Sequence, residues 1–169
     1  MLFLCTGNSC RSIIGECLVS HLGGPGWRGF SAGSRPTGQV HPGAVWVLQE
    51  AGLEVAGCNS KSWHSLSGHS FSLVITVCDS AAGEACPRWA GRGLRLHWPL
   101  PDPAQAPAQA QQAAFQATLA ELQVGEAAPP ASSNPAQRRV AQLVTINFAQ
   151  LTDSQVAEQL AAIAHNQDQ

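Results

Sequence analysis

Ser72-Leu73-Val74-Ile75-Thr76-Val77 is a nearly unbroken apolar run. A strand of that kind has no polar face for solvent, so both faces must be covered, as in a parallel sheet flanked by helices. The rest of the chain supplies partners at suitable intervals. Met1 to Leu4 enters a strand and Gly7 breaks it, and Ser12 to Leu22 carries Ile13, Ile14, Cys17, Leu18 and Leu22 near helical spacing. Trp27 to Ala32 reads as a second strand, Pro42 to Glu50 as a helix stopped by Gly52, and Leu94 to Trp98 as a fourth, short strand. Gln105 to Leu122 is rich in Ala and Gln and helical by propensity. This alternation predicts an α/β fold with a mainly parallel sheet, in which ligands bind at the carboxyl ends of the strands.

The segment Val124 to Gln137 holds Gly125, Pro129, Pro130 and Pro135 and reads as a flexible insertion. Two further helices are expected after it, packing on or extending the same domain. The expected organisation is therefore a catalytic unit over 1–123, an insertion over 124–137 and C-terminal helices over 138–169.

With 169 residues, 44% of them apolar, the chain can bury one core. A formal charge of -2 gives no electrostatic case for nucleic acid or an anionic membrane as partner. No apolar run reaches the roughly 20 residues of a membrane span, and the start lacks a signal-peptide pattern, so a cytoplasmic location is expected. Six cysteines, at 5, 10, 17, 58, 78 and 86, then point to catalysis, redox chemistry or metal binding rather than a disulfide framework. No histidine cluster has metal spacing, and no metal is expected; His41, His64 and His97 read as structural or surface residues, and Cys17 and Cys58 as packed, structural thiols.

Chemistry concentrates in Cys5-Thr6-Gly7-Asn8-Ser9-Cys10-Arg11-Ser12. A strand, a tight loop and a helix start aim several backbone N–H groups at one point, where the helix terminus adds a positive partial charge. Arg11 adds a planar fork matched to two oxygens of a phosphate-like ion. The same field favours the thiolate of Cys5, readying a nucleophile. Gly7 allows close approach of backbone to anion, and Ser12 is placed to hold the thiolate. Thr6, Gly7, Asn8, Ser9, Cys10, Arg11 and Ser12 form the expected oxyanion cradle.

Leu4 to Ser12, followed by Ser31-Ala32-Gly33, resembles the low-molecular-weight protein tyrosine phosphatase superfamily. The resemblance implies a three-layer fold with a four-stranded parallel sheet flanked by helices. It also implies that Cys5 attacks the oxyanion centre, that Arg11 binds it, and that an Asp followed by Pro is the general acid. Pro101-Asp102-Pro103-Ala104 is the segment that fits, which makes Asp102 the candidate.

Two chemistries share such a loop: hydrolysis of a phosphate monoester through a phospho-cysteine, and reduction of arsenate through a thiol-arseno adduct. Val77-Cys78-Asp79-Ser80-Ala81-Ala82-Gly83-Glu84-Ala85-Cys86-Pro87 resembles the redox segment of the arsenate reductases built on this fold. By that resemblance Cys78 resolves the Cys5 adduct and Cys86 resolves Cys78, with small residues giving the segment mobility. The interval from Cys78 to Cys86 is one residue longer than in the thioredoxin-coupled members. No tightly bound cofactor is expected. The expected reductant is an external thiol system, thioredoxin first and glutaredoxin with a low-molecular-weight thiol second. His97 to Ala104 is similar to the same enzymes, and Ala104 stands where tyrosine phosphatases usually carry an aromatic residue. Arsenate reduction is the leading expectation, with phosphate-ester hydrolysis as the alternative and a non-catalytic oxyanion or redox sensor as the third reading. Some relatives bind potassium beside the loop; Asn8, Glu16 and Ser31 match three of its four ligands, and Lys61 stands where the fourth, an Asp, would be. The expectation is that the Lys61 ammonium replaces the cation.

Overall fold

A computed structural model of the chain describes residues 1–23, 27–83 and 94–123. The expected insertion, the C-terminal helices and Cys86 lie outside these residues. Strand β1 (Leu2–Cys5) leads into helix α1 (Arg11–Leu22), then β2 (Phe30–Gly33) and α2 (Pro42–Glu50). They are followed by β3 (Leu73–Thr76), the short α3 (Asp79–Gly83), β4 (Leu94–His97) and α4 (Gln111–Gln123). The strands form one parallel sheet in the order β2-β1-β3-β4. Its register pairs Cys5 with Gly33 and Leu4 with Thr76, so the loop after β1 and the segment after β3 emerge side by side at the carboxyl edge.

Side-chain alternation along β1 divides the core. Phe3 and Cys5 face a large cluster with Ile13, Ile14, Val47, Leu48, Ala81, Phe115 and Leu119, contributed by α1, α2, α3 and α4. Leu2 and Leu4 face a smaller cluster with Ala32, Trp63, Leu66, Phe71 and Val74. Helix α1 lies close against β1: a Cβ on Gly15 would come within 2.7 Å of the Phe3 ring. No helix among the described residues is long and apolar enough to cross a membrane.

Two element boundaries are corrected: the strand expected from Trp27 begins at Phe30, and a helix starts later than expected. The helix expected over Gln105 to Leu122 starts at Gln111, preceded by 3-10 turns at Pro103–Gln105 and Ala108–Ala110. Pro107 is the cause, because it holds Ala106 in extended backbone. Trp63–Leu66 forms a further 3-10 turn, with the Ser62 hydroxyl accepting from the His64 N–H at 3.3 Å. The mobile segment expected after Cys78 begins as a helical turn, in which Ala81 is fully buried. His97 fastens that turn at the surface, with Nδ1 2.9 Å from Thr76 Oγ1 and Nε2 3.0 Å from Asp79 Oδ1.

Candidate active site

The loop between β1 and α1 is wound around Cys5. Cys5 Sγ lies 3.1 Å from Ser12 Oγ and accepts the Asn8 backbone N–H at 3.2 Å. Asn8 has a φ of 46°, left-handed backbone that asparagine tolerates better than most residues. Its fully buried side chain repays that conformation with hydrogen bonds in three directions. Nδ2 donates to Ser12 Oγ and to Ser31 Oγ, both at 2.9 Å, and Oδ1 accepts the Lys61 backbone N–H at 2.7 Å. The loop's outer carbonyls are also taken: Thr6 O accepts from Arg35 N, Gly7 O from Thr37 N and Ser9 O from His41 N. Gly33 packs beneath it, where a Cβ would stand 2.4 Å from Thr6 O.

Helix α1 opens at Cys10 with no side-chain cap and no acidic residue in its first turn. Its first N–H groups are thus not committed to a side-chain cap, which suits an anion. Arg11 reaches across the sheet edge to the segment after β4. Nη2 lies 3.1 Å from Asp102 Oδ2, and Nη1 donates to Leu100 O at 2.9 Å. Arg11 Nε is buried without a hydrogen-bond partner among the described residues, a donor still open to an incoming oxygen. The Asp102 carboxylate accepts the Ala104 N–H at 3.2 Å and so caps the turn that follows it.

Cys78, at the end of β3, is buried. Its Sγ lies 3.6 Å from Thr6 Oγ1 in the anion loop and accepts the Ala81 N–H at 3.4 Å. The structure therefore brings Cys5, Thr6, Asn8, Arg11, Ser12, Cys78 and Asp102 to one edge of the sheet. Cys10 is buried in the same loop, its Sγ 3.6 Å from Ser9 Oγ, and desolvation pushes its thiol up to about 11.

Behind the loop lies an ionic brace. Lys61 Nζ is 3.2 Å from Glu16 Oε2 and donates to Asn59 O at 3.2 Å. Glu16 Oε2 in turn accepts the Ser31 hydroxyl, which closes a chain from Lys61 through Glu16 and Ser31 to Asn8. What the sequence did not signal was Leu100, whose carbonyl steadies Arg11. A backbone contact 89 residues away leaves no pattern in side-chain chemistry.

Residues 1–128 match the family described as low molecular weight phosphotyrosine protein phosphatase. The chain belongs to that family. Within and around it, the chain is 38% identical over 104 residues to a protein named arsenate reductase from Bacillus subtilis, covering 62% of this chain and 73% of that one. Among solved structures, a thioredoxin-dependent arsenate reductase from Corynebacterium glutamicum superposes with a TM-score of 0.51 at 28% identity. That match covers 72% of this phosphatase-family chain and 58% of the other. The tyrosine phosphatase Wzb from Escherichia coli K30, in complex with sulphate, shares the fold with a TM-score of 0.55 at 22% identity, covering 83% and 94% of the two chains.

Proposed function

We propose that this chain reduces arsenate to arsenite. The observation that carries the reading is Cys78: a second buried thiol whose sulfur touches Thr6 of the loop that holds Cys5. Phosphate-ester hydrolysis has no use for it. The 38% identity to a protein named arsenate reductase supports the same choice.

In the proposed reaction the Thr6–Ser12 loop and Arg11 hold the arsenate, and the Cys5 thiolate attacks arsenic. Asp102 gives a proton to the departing oxygen, which leaves as water. The Cys78 thiolate then attacks Cys5 Sγ. A Cys5–Cys78 disulfide forms, the S–As bond breaks, and its electron pair reduces As(V) to As(III), released as arsenite. By resemblance, Cys86 next attacks Cys78 and frees Cys5. An external dithiol, thioredoxin before glutaredoxin, reduces the final Cys78–Cys86 disulfide. The Lys61 ammonium takes the place of a bound potassium ion beside Glu16.

Phosphate-monoester hydrolysis is the second reading, because Arg11 and Asp102 are already paired across the pocket as an anion clamp and an acid would be. A coupled assay following NADPH consumption with arsenate, thioredoxin and thioredoxin reductase separates the two. Turnover should vanish in Cys78→Ser, while that variant still releases product from aryl phosphates if hydrolysis occurs at all. Arsenate turnover that survives Cys78→Ser would overturn the relay.

A further inference from the structure

A second pair of thiols lies behind the anion loop, apart from the chemistry of Cys5. Cys17 sits on the inner face of α1, fully buried. Cys58 lies 41 positions further on, after the turn at Gly57, and packs half-buried against the core cluster that contains Cys17. The two segments are already held together. Glu16 precedes Cys17, Lys61 follows Cys58 by three residues, and the 3.2 Å ion pair between Glu16 and Lys61 fixes one segment against the other. The backbone of Cys58 is anchored by its N–H to Val55 O at 3.0 Å.

We propose that Cys17 and Cys58 are a redox-active dithiol, which a hydroperoxide oxidises to a disulfide tying α1 to the turn before Lys61. The two thiols differ in a way that orders the steps. The neighbouring Cys58 sulfur, together with burial, pushes the Cys17 thiol far above the ordinary thiol range. The nearby Cys17 thiol lowers Cys58. Cys58 is also the partner that solvent reaches, so it meets the peroxide. Its thiolate attacks the peroxide oxygen, the O–O bond breaks, and one alcohol or water leaves with a Cys58 sulfenic acid behind. Cys17 Sγ then attacks Cys58 Sγ, and its proton departs with the sulfenic oxygen as water. Two thiols and one hydroperoxide thus give one disulfide, one alcohol (or water) and one water. A dithiol reductant reverses the change.

Both residues lie on segments packed at one core cluster and already joined by the Glu16–Lys61 ion pair. Disulfide closure locks Lys61 against Glu16, and therefore the brace behind Asn8, without using Cys5 or Cys78.

The test is peptide mapping of the full chain. Trypsin cuts after Arg11, Arg28 and Lys61, while Arg35 is protected by Pro36, so the peptides 12–28 and 29–61 each hold one cysteine. Reduced protein is treated with stoichiometric hydrogen peroxide, free thiols are capped with N-ethylmaleimide, and the digest is weighed. The expected result is a linked 12–28/29–61 species that disappears with dithiothreitol and does not form in Cys58→Ser. In reduced wild-type protein at neutral pH, iodoacetamide should also label Cys58 several-fold faster than Cys17. Recovery of both peptides as N-ethylmaleimide adducts after peroxide, or a Cys58 sulfinic acid with Cys17 still capped, would overturn the proposal.

Discussion

Arg11 and Asp102 are paired across the mouth of the pocket, with Nη2 3.1 Å from Oδ2. The guanidinium that is proposed to clamp arsenate therefore rests on the carboxylate proposed to protonate its departing oxygen. In the proposed reaction an arriving anion competes with Asp102 for the same fork and brings the acid to within reach of its own oxygens. Leu100 O, 2.9 Å from Nη1, keeps the arginine aimed while this exchange occurs.

Asp102→Ala separates the two duties. Arg11 loses its internal competitor, so sulfate or phosphate should bind several-fold more tightly, measured by calorimetry. The first chemical step loses its acid and should slow by about 10²- to 10⁴-fold. Weaker anion binding together with unchanged kcat would show that Asp102 serves only the pocket's structure.

The Lys61–Glu16 brace predicts indifference to potassium. Replacing KCl with NaCl at constant ionic strength should leave both the rate and Tm unchanged. Lys61→Ala leaves Glu16 without its cation in a largely buried place, at a stability cost of about 2 kcal/mol, between the ranges for exposed and buried pairs. Lys61→Asp sets a second carboxylate beside Glu16, and its activity and Tm should rise on adding KCl.

Gly33→Ala should be poorly tolerated. The new methyl would lie 2.4 Å from Thr6 O and 2.9 Å from Cys5 O, both backbone atoms that cannot swing away. Urea unfolding should register a loss of about 1–3 kcal/mol. Because the displaced atoms belong to the anion loop, kcat should fall as well. Gly52→Ala is the contrast: its site is open, so only its positive φ of 73° opposes the change, and kcat should hold.

Cys10 predicts a pH-dependent reactivity. Burial raises its thiol to about 11, which favours the protonated form over the whole physiological range. At pH 8 roughly one molecule in a thousand carries the thiolate, three units below the midpoint. Iodoacetamide labelling of Cys10, followed by fragmentation of the N-terminal tryptic peptide, should accelerate about tenfold per pH unit and level off only as pH passes 11. A plateau already reached by pH 9 would contradict that environment.

The apolar run at 72–77 and the glycine-broken loop after Leu4 were legible because each carries its physical reason locally. One must be covered on both faces, and the other must turn sharply into a helix. Lys61 and Glu16 were legible only by analogy, as two charges that needed each other. The late start of α4 was legible in principle through Pro107, but Ala and Gln propensity concealed it. The helical start of the segment after Cys78 was not legible, because small residues suit both a mobile strap and a buried helical turn; Ala81 lies in the core. The meeting of Cys17 with Cys58 was invisible, since it depends on how α1 and the turn after Gly57 are stacked.

Asn8 has a consequence for the rhythm of the reaction cycle. A cradle of consecutive N–H groups is costly to assemble from flexible chain, since each residue ordered costs on the order of 1–2 kcal/mol. Here Ser12, Ser31 and Lys61 hold the Asn8 side chain, and through it the loop, before any ligand arrives. The ordering entropy is lost once, when the protein folds, and not again each time an anion enters. Successive substrates meet the same rigid shape, so differences between oxyanions in this pocket should arise from their own size, charge and bond strengths rather than from how far each can mould the loop.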